Sequence, residues 1–358
     1  MATKPLISDY LVAPGFYVRE ALDALNMTQG ELAERMGRPD QLVSEIVNAK
    51  KEITEETAFD LEAVLGTPAH VWLNLETTYR YGLQAKQRAA RMAEQIDLAA
   101  KFPYNDLAKV GAVAKTRDQS ERVGELCGFF NVAKLDAVAT AYAPAFRKDR
   151  KKEPCPYALA AWLRMGEREA EGMDLPEYDK TRTRSCLGEL RRVTTGDGDI
   201  VAAIRRILGT CGIAFVAAPH LPKTYANGAT FWHRSRPVVL LSIRGAYEDI
   251  FWFTLFHEVG HILLHEKTAT FIEGLGTTSQ QETEADEFAR DTLIPLEAWT
   301  PFLSAQSYSR ESVTSFAVTQ EVAPAVVVGR LCHELKAFDQ LHHLRSLRRK
   351  FQFSEAEE

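Results

Sequence analysis

The sequence predicts an α+β chain, mostly helical, with an all-α helix-turn-helix domain first, a helical middle region next, and a C-terminal domain built on a small sheet and a long HExxH helix. Three observations predict it. The stretch MTQGELAERMGRPDQLVSEIV places apolar residues at helical spacing on either side of Gly37. Gly212–Ala218, Ala229–Trp232 and Val238–Ile243 are short apolar runs bounded by turn residues, which read as strands. FTLFHEVGHILLH sets two histidines four residues apart in a nearly all-apolar helix. The expected domains are residues 1–92, 93–190 and 191–358.

The totals bound the classes. With 358 residues, 46% hydrophobic and 26% charged, the chain has the composition of two or three globular domains and excludes a disordered or fibrous protein. Its longest unbroken apolar run, Tyr157 to Leu163, falls far short of the ~20 residues a membrane helix needs. No apolar h-region follows the N-terminus, so a cytoplasmic protein with no membrane partner is expected. Five cysteines with no CxxC fit reduced, buried thiols. The net charge of −6 disfavours a generally nucleic-acid-coated protein but leaves room for one local binding face.

From about Pro14 to Glu94 the chain reads as short helices broken by Gly37, Ala49–Lys51 and Gly66. Thr28 and Glu31 form a T-x-x-E capping box, and Leu32, Ala33 and Met36 face inward. Gly37 supplies a left-handed stop. The second helix carries Pro39 in its first turn and turns Leu42, Val43, Ile46 and Val47 inward. Two helices joined this tightly describe a helix-turn-helix, whose second helix can enter a major groove. Its outward residues include Arg38, Gln41, Ser44 and Asn48, with Lys50 and Lys51 just beyond. Gln and Asn can read adenine, while Arg and Lys hold phosphate, which makes double-stranded operator DNA the expected partner. A solvated helical interaction module remains the plainer alternative.

The span from Pro14 to Arg80 resembles the XRE-type helix-turn-helix of the HigA-like antitoxin group, through its early Pro-Gly, M-T-Q-x-E-L-A-E-R-M-G, S-E-I-V-N-x-K and L-G-T-P-x-x-x-W-L-N-L. The resemblance implies operator binding and a homodimer on paired half-sites. One departure stands out. Residues 1–90 carry nine Lys and Arg against thirteen Asp and Glu, and the recognition helix itself holds Asp40 and Glu45, which weakens phosphate attraction.

Residues from about 100 to 190 read as looser helices around a basic stretch holding Lys148, Arg150, Lys151 and Lys152, a solvated loop that is also able to touch phosphate. From about Val193 the texture turns to α+β, with Ile200–Leu208 a helix and Asn227–Gly228 a turn leading into a strand. Ala229–Trp232 is a candidate exposed edge for an extended peptide.

His257 and His261 share one helix face and can meet one divalent ion, for which zinc is the expected cofactor, one per chain. Glu258 beside them is placed to take a proton from metal-activated water. A third ligand is expected from QETEADEFA. Glu282 and Asp286 are four apart, so Glu282 can bind the ion while Asp286 orients a ligand histidine. Glu284 points about 160° away on an ideal helix, so one carboxylate serves and not both; Glu282 is preferred and Glu284 is the alternative. His265 is expected to be an outer-sphere or helix-end residue. Tyr225, His233 and His220 are candidate oxyanion stabilisers.

HEVGHILLH, ETEADEFARDTLIP and FAVTQEVAPAVVVGRL together resemble the ImmA/IrrE family of gluzincin-like metallopeptidases. The resemblance implies a zincin-like fold, one zinc, a water nucleophile, Glu258 as general base and a protein substrate that is itself a regulator. Two readings follow: a DNA-tethered zinc endopeptidase, or a non-proteolytic, antitoxin-like regulator whose peptidase fold senses or docks.

Overall fold

The computed structural model describes residues 11–143, 155–242, 247–265, 270–272, 279–336 and 341–350. The chain divides into two compact units, residues 1–96 and 97–358. The basic stretch with Lys148, Arg150, Lys151 and Lys152, and the C-terminal FQFSEAEE, lie outside the described residues.

The first unit is all helical: α1 (Pro14–Ala24), α2 (Gln29–Met36), α3 (Asp40–Val47), α4 (Glu55–Leu65) and α5 (Ala69–Ala93). The start of α2 is chemically fixed. The Glu31 amide donates to Thr28 Oγ1 at 3.2 Å, and the Thr28 amide donates back to Glu31 Oε2 at 2.8 Å. This reciprocal pair satisfies two amides the helix cannot satisfy itself. Gly37 ends α2 at φ 65°, a conformation that strains any residue with a Cβ. Pro39 takes the N-cap position of α3, one place earlier than the sequence suggests, because its extended ψ of 140° precedes the helix. Val18, Leu22, Leu32, Val43, Ile46, Leu61 and Trp72 are buried together in the core of this unit. Each such side chain, fully buried, contributes roughly 1.5–3 kcal/mol. The expectation of uniformly short helices fails at α5, which continues unbroken for 25 residues.

The second unit begins with α6 (Ile96–Ala99), α7 (Tyr104–Lys109), α8 (Gln119–Phe130), α9 (Ala137–Ala141), α10 (Pro156–Glu171), α11 (Lys180–Arg192) and α12 (Ile200–Thr210). Arg164 of α10 is only 4% exposed and ties α10 to α8. Its Nε donates to the Phe129 carbonyl at 2.8 Å and its Nη1 to Glu167 and Glu171 at 3.0 and 3.2 Å.

The sheet comprises β1 (Ala214–Ala218), β2 (Gly228–His233), β3 (Arg236–Ser242) and β4 (Phe271–Ile272), in the order β1-β3-β2-β4. β1 runs parallel to β3, and β2 runs antiparallel to both its neighbours. β2 is therefore not the free edge expected from its sequence: β3 flanks it along its length and β4 pairs with Ala229 and Thr230. The β2–β3 hairpin closes through Arg234 and Ser235 at φ 47° and 67°, a two-residue loop with both residues left-handed. Helices α13 (Glu248–Leu264), α14 (Ser279–Leu293), α15 (Leu296–Ser304), α16 (Arg310–Thr319) and α17 (Pro324–Leu335) complete the unit. Trp252, Phe256, Val259 and Ile262 of α13 are buried in one core with Phe215, Val239, Leu293 and Val327. No helix among the described residues is long and apolar enough to cross a membrane.

Candidate metal centre and helix-turn-helix face

α13 is helical because its run of large apolar residues has neighbours on every side. Glu248 and Asp249 lie in its first turn, where carboxylates favour the positive end of the helix dipole. Burial of the whole helix carries His257, Glu258 and His261 inside, at 3%, 0% and 2% exposure. Polar groups so deep must be satisfied by one another or by an ion.

His257 Nε2 and His261 Nε2 lie 3.0 Å apart. Glu282 from α14 faces both, with Oε2 at 3.3 Å from His257 Nε2 and Oε1 at 3.5 Å from His261 Nε2. Among the described residues these three side chains form the one metal-competent group, with ligand atoms all within 4.8 Å of one another. A tetrahedral zinc with bonds of ~2.0–2.1 Å separates neighbouring donors by ~3.4 Å, so two imidazoles and one carboxylate at these spacings fit that ion.

The carboxylates around the site divide. Asp286 Oδ1 sits 2.8 Å from His257 Nδ1. An ionised carboxylate only accepts, so His257 Nδ1 carries a proton toward Asp286, and Nε2 is the nitrogen that faces Glu282. Glu284 is turned away and meets His265 Nε2 at 3.1 Å instead. His265 caps the end of α13 and reaches His261 Nδ1 at 3.0 Å, on the side opposite Glu282. Burial disfavours the charged form of His257, but hydrogen bonds to Asp286 and Glu282 and the Glu258 charge overcome it, raising its pKa. Burial lowers that of His261, and a protonated His257 beside it adds to the effect. The donor set thus holds a positive charge in a buried place.

Two contacts around Glu258 are not legible as motifs. Thr230 Oγ1 of β2 donates to the Glu258 carbonyl at 3.0 Å, fixing the helix against the sheet. Gly228 lies so close that a Cβ there would stand 2.6 Å from Glu258 Oε1 and from Thr254 Cγ2. The sequence marks Gly228 only as a turn residue, although a glycine entering a strand also signals close approach.

The other candidates disperse. His233 ends β2 about 16 Å of strand from Gly228 and pairs with Glu171 of α10 at 3.1 Å. His220 Nδ1 meets Thr224 Oγ1 at 3.2 Å. Tyr225 stays 52% exposed in the segment before β2, with φ 53°.

On the first unit, Gln41, Ser44, Asn48, Lys50 and Lys51 are exposed along and just after α3. Arg38 is committed internally, with Nη2 2.6 Å from Glu56 and Nε 2.8 Å from Asp60, which holds its pKa up. Gln41 donates to Glu45 at 2.8 Å, and Asn48 donates to the Ser44 carbonyl at 2.8 Å. Pairing of this kind was not readable from α3 alone, since Arg38's partners lie on α4.

Fold and site define a helix-turn-helix regulator domain joined to a metallopeptidase-type domain. Residues 18–72 match the helix-turn-helix family, and residues 213–331 match peptidase family M78, the IrrE N-terminal-like domain. The chain is 33% identical over 66 residues to the HTH-type transcriptional regulator YddM of Escherichia coli (strain K12), a match covering 18% of this chain and 70% of that one. It is also similar to an addiction module antidote protein of a HigA family from Coxiella burnetii, at 29% identity, covering 24% of this chain and 94% of that one with a TM-score of 0.23. The chain belongs to the helix-turn-helix transcriptional regulators and carries an IrrE/ImmA-like M78 domain at its C-terminal end.

Proposed function

We propose that this protein is a DNA-binding regulator whose second unit is a zinc-dependent endopeptidase that cleaves a protein partner, itself a regulator. The observation that carries the reading is the Glu282 carboxylate facing both histidine Nε2 atoms while Glu258 lies fully buried beside them. His257, His261 and Glu282 would hold the ion, and Asp286 keeps His257 in the ligating tautomer. Zinc bound there supplies a Lewis acid that polarises the scissile carbonyl and makes water acidic enough to lose a proton near neutrality. Glu258 would take that proton on its carboxylate as the water oxygen bonds to the scissile carbonyl carbon, and deliver it to the amine nitrogen as the C–N bond breaks. Its desolvated setting strengthens the exchange, and Gly228 leaves the space that Glu258 Oε1 occupies.

Operator binding is assigned to Gln41, Ser44 and Asn48 for bases and to Lys50 and Lys51 for phosphate. Arg38 joins them only by giving up Glu56 and Asp60. An acidic unit binds DNA best as a homodimer, which doubles the contacts.

The experiment is to add zinc-loaded protein, or its Glu258→Gln variant, to extract of the source cells and sequence new protein N-termini. Termini that form with the unaltered chain and not with the variant support the proposal. Identical profiles would favour the non-proteolytic, antitoxin-like regulator.

A further inference from the structure

The groove between α13 and α14 does not end at the histidines. Ile250, Phe253 and Thr254 fall within ~60° of His257 around α13, one to two turns nearer its N-terminus. Across the groove, Asp286, Arg290 and Leu293 continue the Glu282 face of α14. These residues line a cavity of about 300 Å³, closed on another side by α17 and by Arg348. That volume accommodates a molecule the size of an aromatic amino acid.

Its charges do not all cancel internally. Arg348 Nη2 meets Asp249 Oδ2 at 2.7 Å. Arg330 is occupied by Glu334 at 2.9 Å and by the Ile294 carbonyl at 2.6 Å. Asp286 receives His257. Among the described residues the Arg290 side chain keeps one loose contact, Glu287 at 3.9 Å, and so leaves a positive charge at the cavity wall. At the other side Asp249, 8% exposed, has a buried Oδ1 with no hydrogen-bond partner among the described residues, and the buried Nε of Arg348 has none either. A buried carboxylate oxygen without a donor is costly, and it asks for one.

We propose that this cavity is a small-molecule site. It takes an organic acid with an apolar body, its carboxylate on Arg290 and an N–H or O–H group donating to Asp249 Oδ1. Ile250 and Phe253 supply the apolar wall. Because Asp286 both lines the cavity and holds His257, the ligand becomes an input to the metal site. That last link rests on the metal-centre reading, whereas the binding itself does not.

The probe is indole-3-propionate, titrated calorimetrically into the full-length protein. Its carboxylate, rings and indole N–H match the three features. Saturable 1:1 binding with a Kd of ~1 mM or tighter is expected, in line with the affinity of a ligand of this size. Arg290→Gln should weaken it ~10-fold through loss of a charge-assisted pair. Ile250→Trp, at a residue 39% exposed and thus safe for folding, should fill the cavity and abolish binding. Naphthalene-1-propionate, which lacks the donor, should also bind ~10-fold more weakly. No saturable binding, or equal binding to both variants, overturns the proposal. Zinc content measured on the same samples keeps the two readings apart: probe binding without zinc refutes the metal centre alone, and zinc without probe binding refutes the cavity alone.

Discussion

Asp286 Oδ1 and His257 Nδ1 lie 2.8 Å apart, joining α14 to α13 through a carboxylate that is 49% exposed and an imidazole that is 4% exposed. The contact decides what the rest of the site can do. It ties His257 Nδ1 to a carboxylate and turns Nε2 toward its counterpart on His261, 3.0 Å away, the nitrogen that would meet an ion.

Asp286→Asn should therefore preserve folding and lower zinc affinity by ~10–100-fold, the usual effect of losing an outer-sphere carboxylate. Competition with a calibrated chelator measures it. Unchanged affinity would remove Asp286 from the account.

Glu258→Gln should keep one zinc per chain and lose hydrolysis of any substrate found, because an amide cannot accept the proton. The two readouts are metal content and cleavage. A variant that still cleaves would exclude Glu258 as the base.

Gly228→Ala tests the sheet's part in the site. A Cβ 2.6 Å from both Glu258 Oε1 and Thr254 Cγ2 must displace the two of them or shift the strand. We expect a loss of ~1–3 kcal/mol in stability, typical of overpacking, with a fall in turnover at unchanged zinc content. Full activity in the alanine variant would show that Glu258 has room the geometry does not give it.

Zinc uptake should release protons. In the metal-free site His257 has a raised pKa, so its ring holds a proton at neutral pH that the ion must expel. A group raised this way loses its proton as pH climbs. Zinc affinity should then strengthen by up to ~10-fold per pH unit between pH 6 and 8, with about one proton released. Titrations in buffers of different ionisation enthalpy count that proton, and a pH-independent affinity would contradict the protonated His257.

Much of this was legible in the sequence because it depends on local spacing. The Thr28–Glu31 box, the Gly37 stop and the shared face of His257 and His261 follow from helical periodicity. The same periodicity separates Glu282 from Glu284, and the structure places them apart, one facing His257 and His261 and the other on His265. What stayed hidden depends on tertiary neighbours. Arg38 looked outward from α3 until α4 brought Glu56 and Asp60 to it. β2 looked like an edge because β4 is only two residues long and leaves no pattern. The approach of Gly228 to Glu258 crosses thirty residues of chain and has no local signature.

In the proposed site His257, His261 and Glu282 hold one zinc and Glu284 does not. Elemental analysis of protein purified without chelator, beside Glu282→Ala and Glu284→Ala, tests it most directly. About one zinc per chain is expected in the unaltered protein and in Glu284→Ala, and its loss in Glu282→Ala. Folded protein without zinc, or zinc lost from Glu284→Ala but kept by Glu282→Ala, would contradict it.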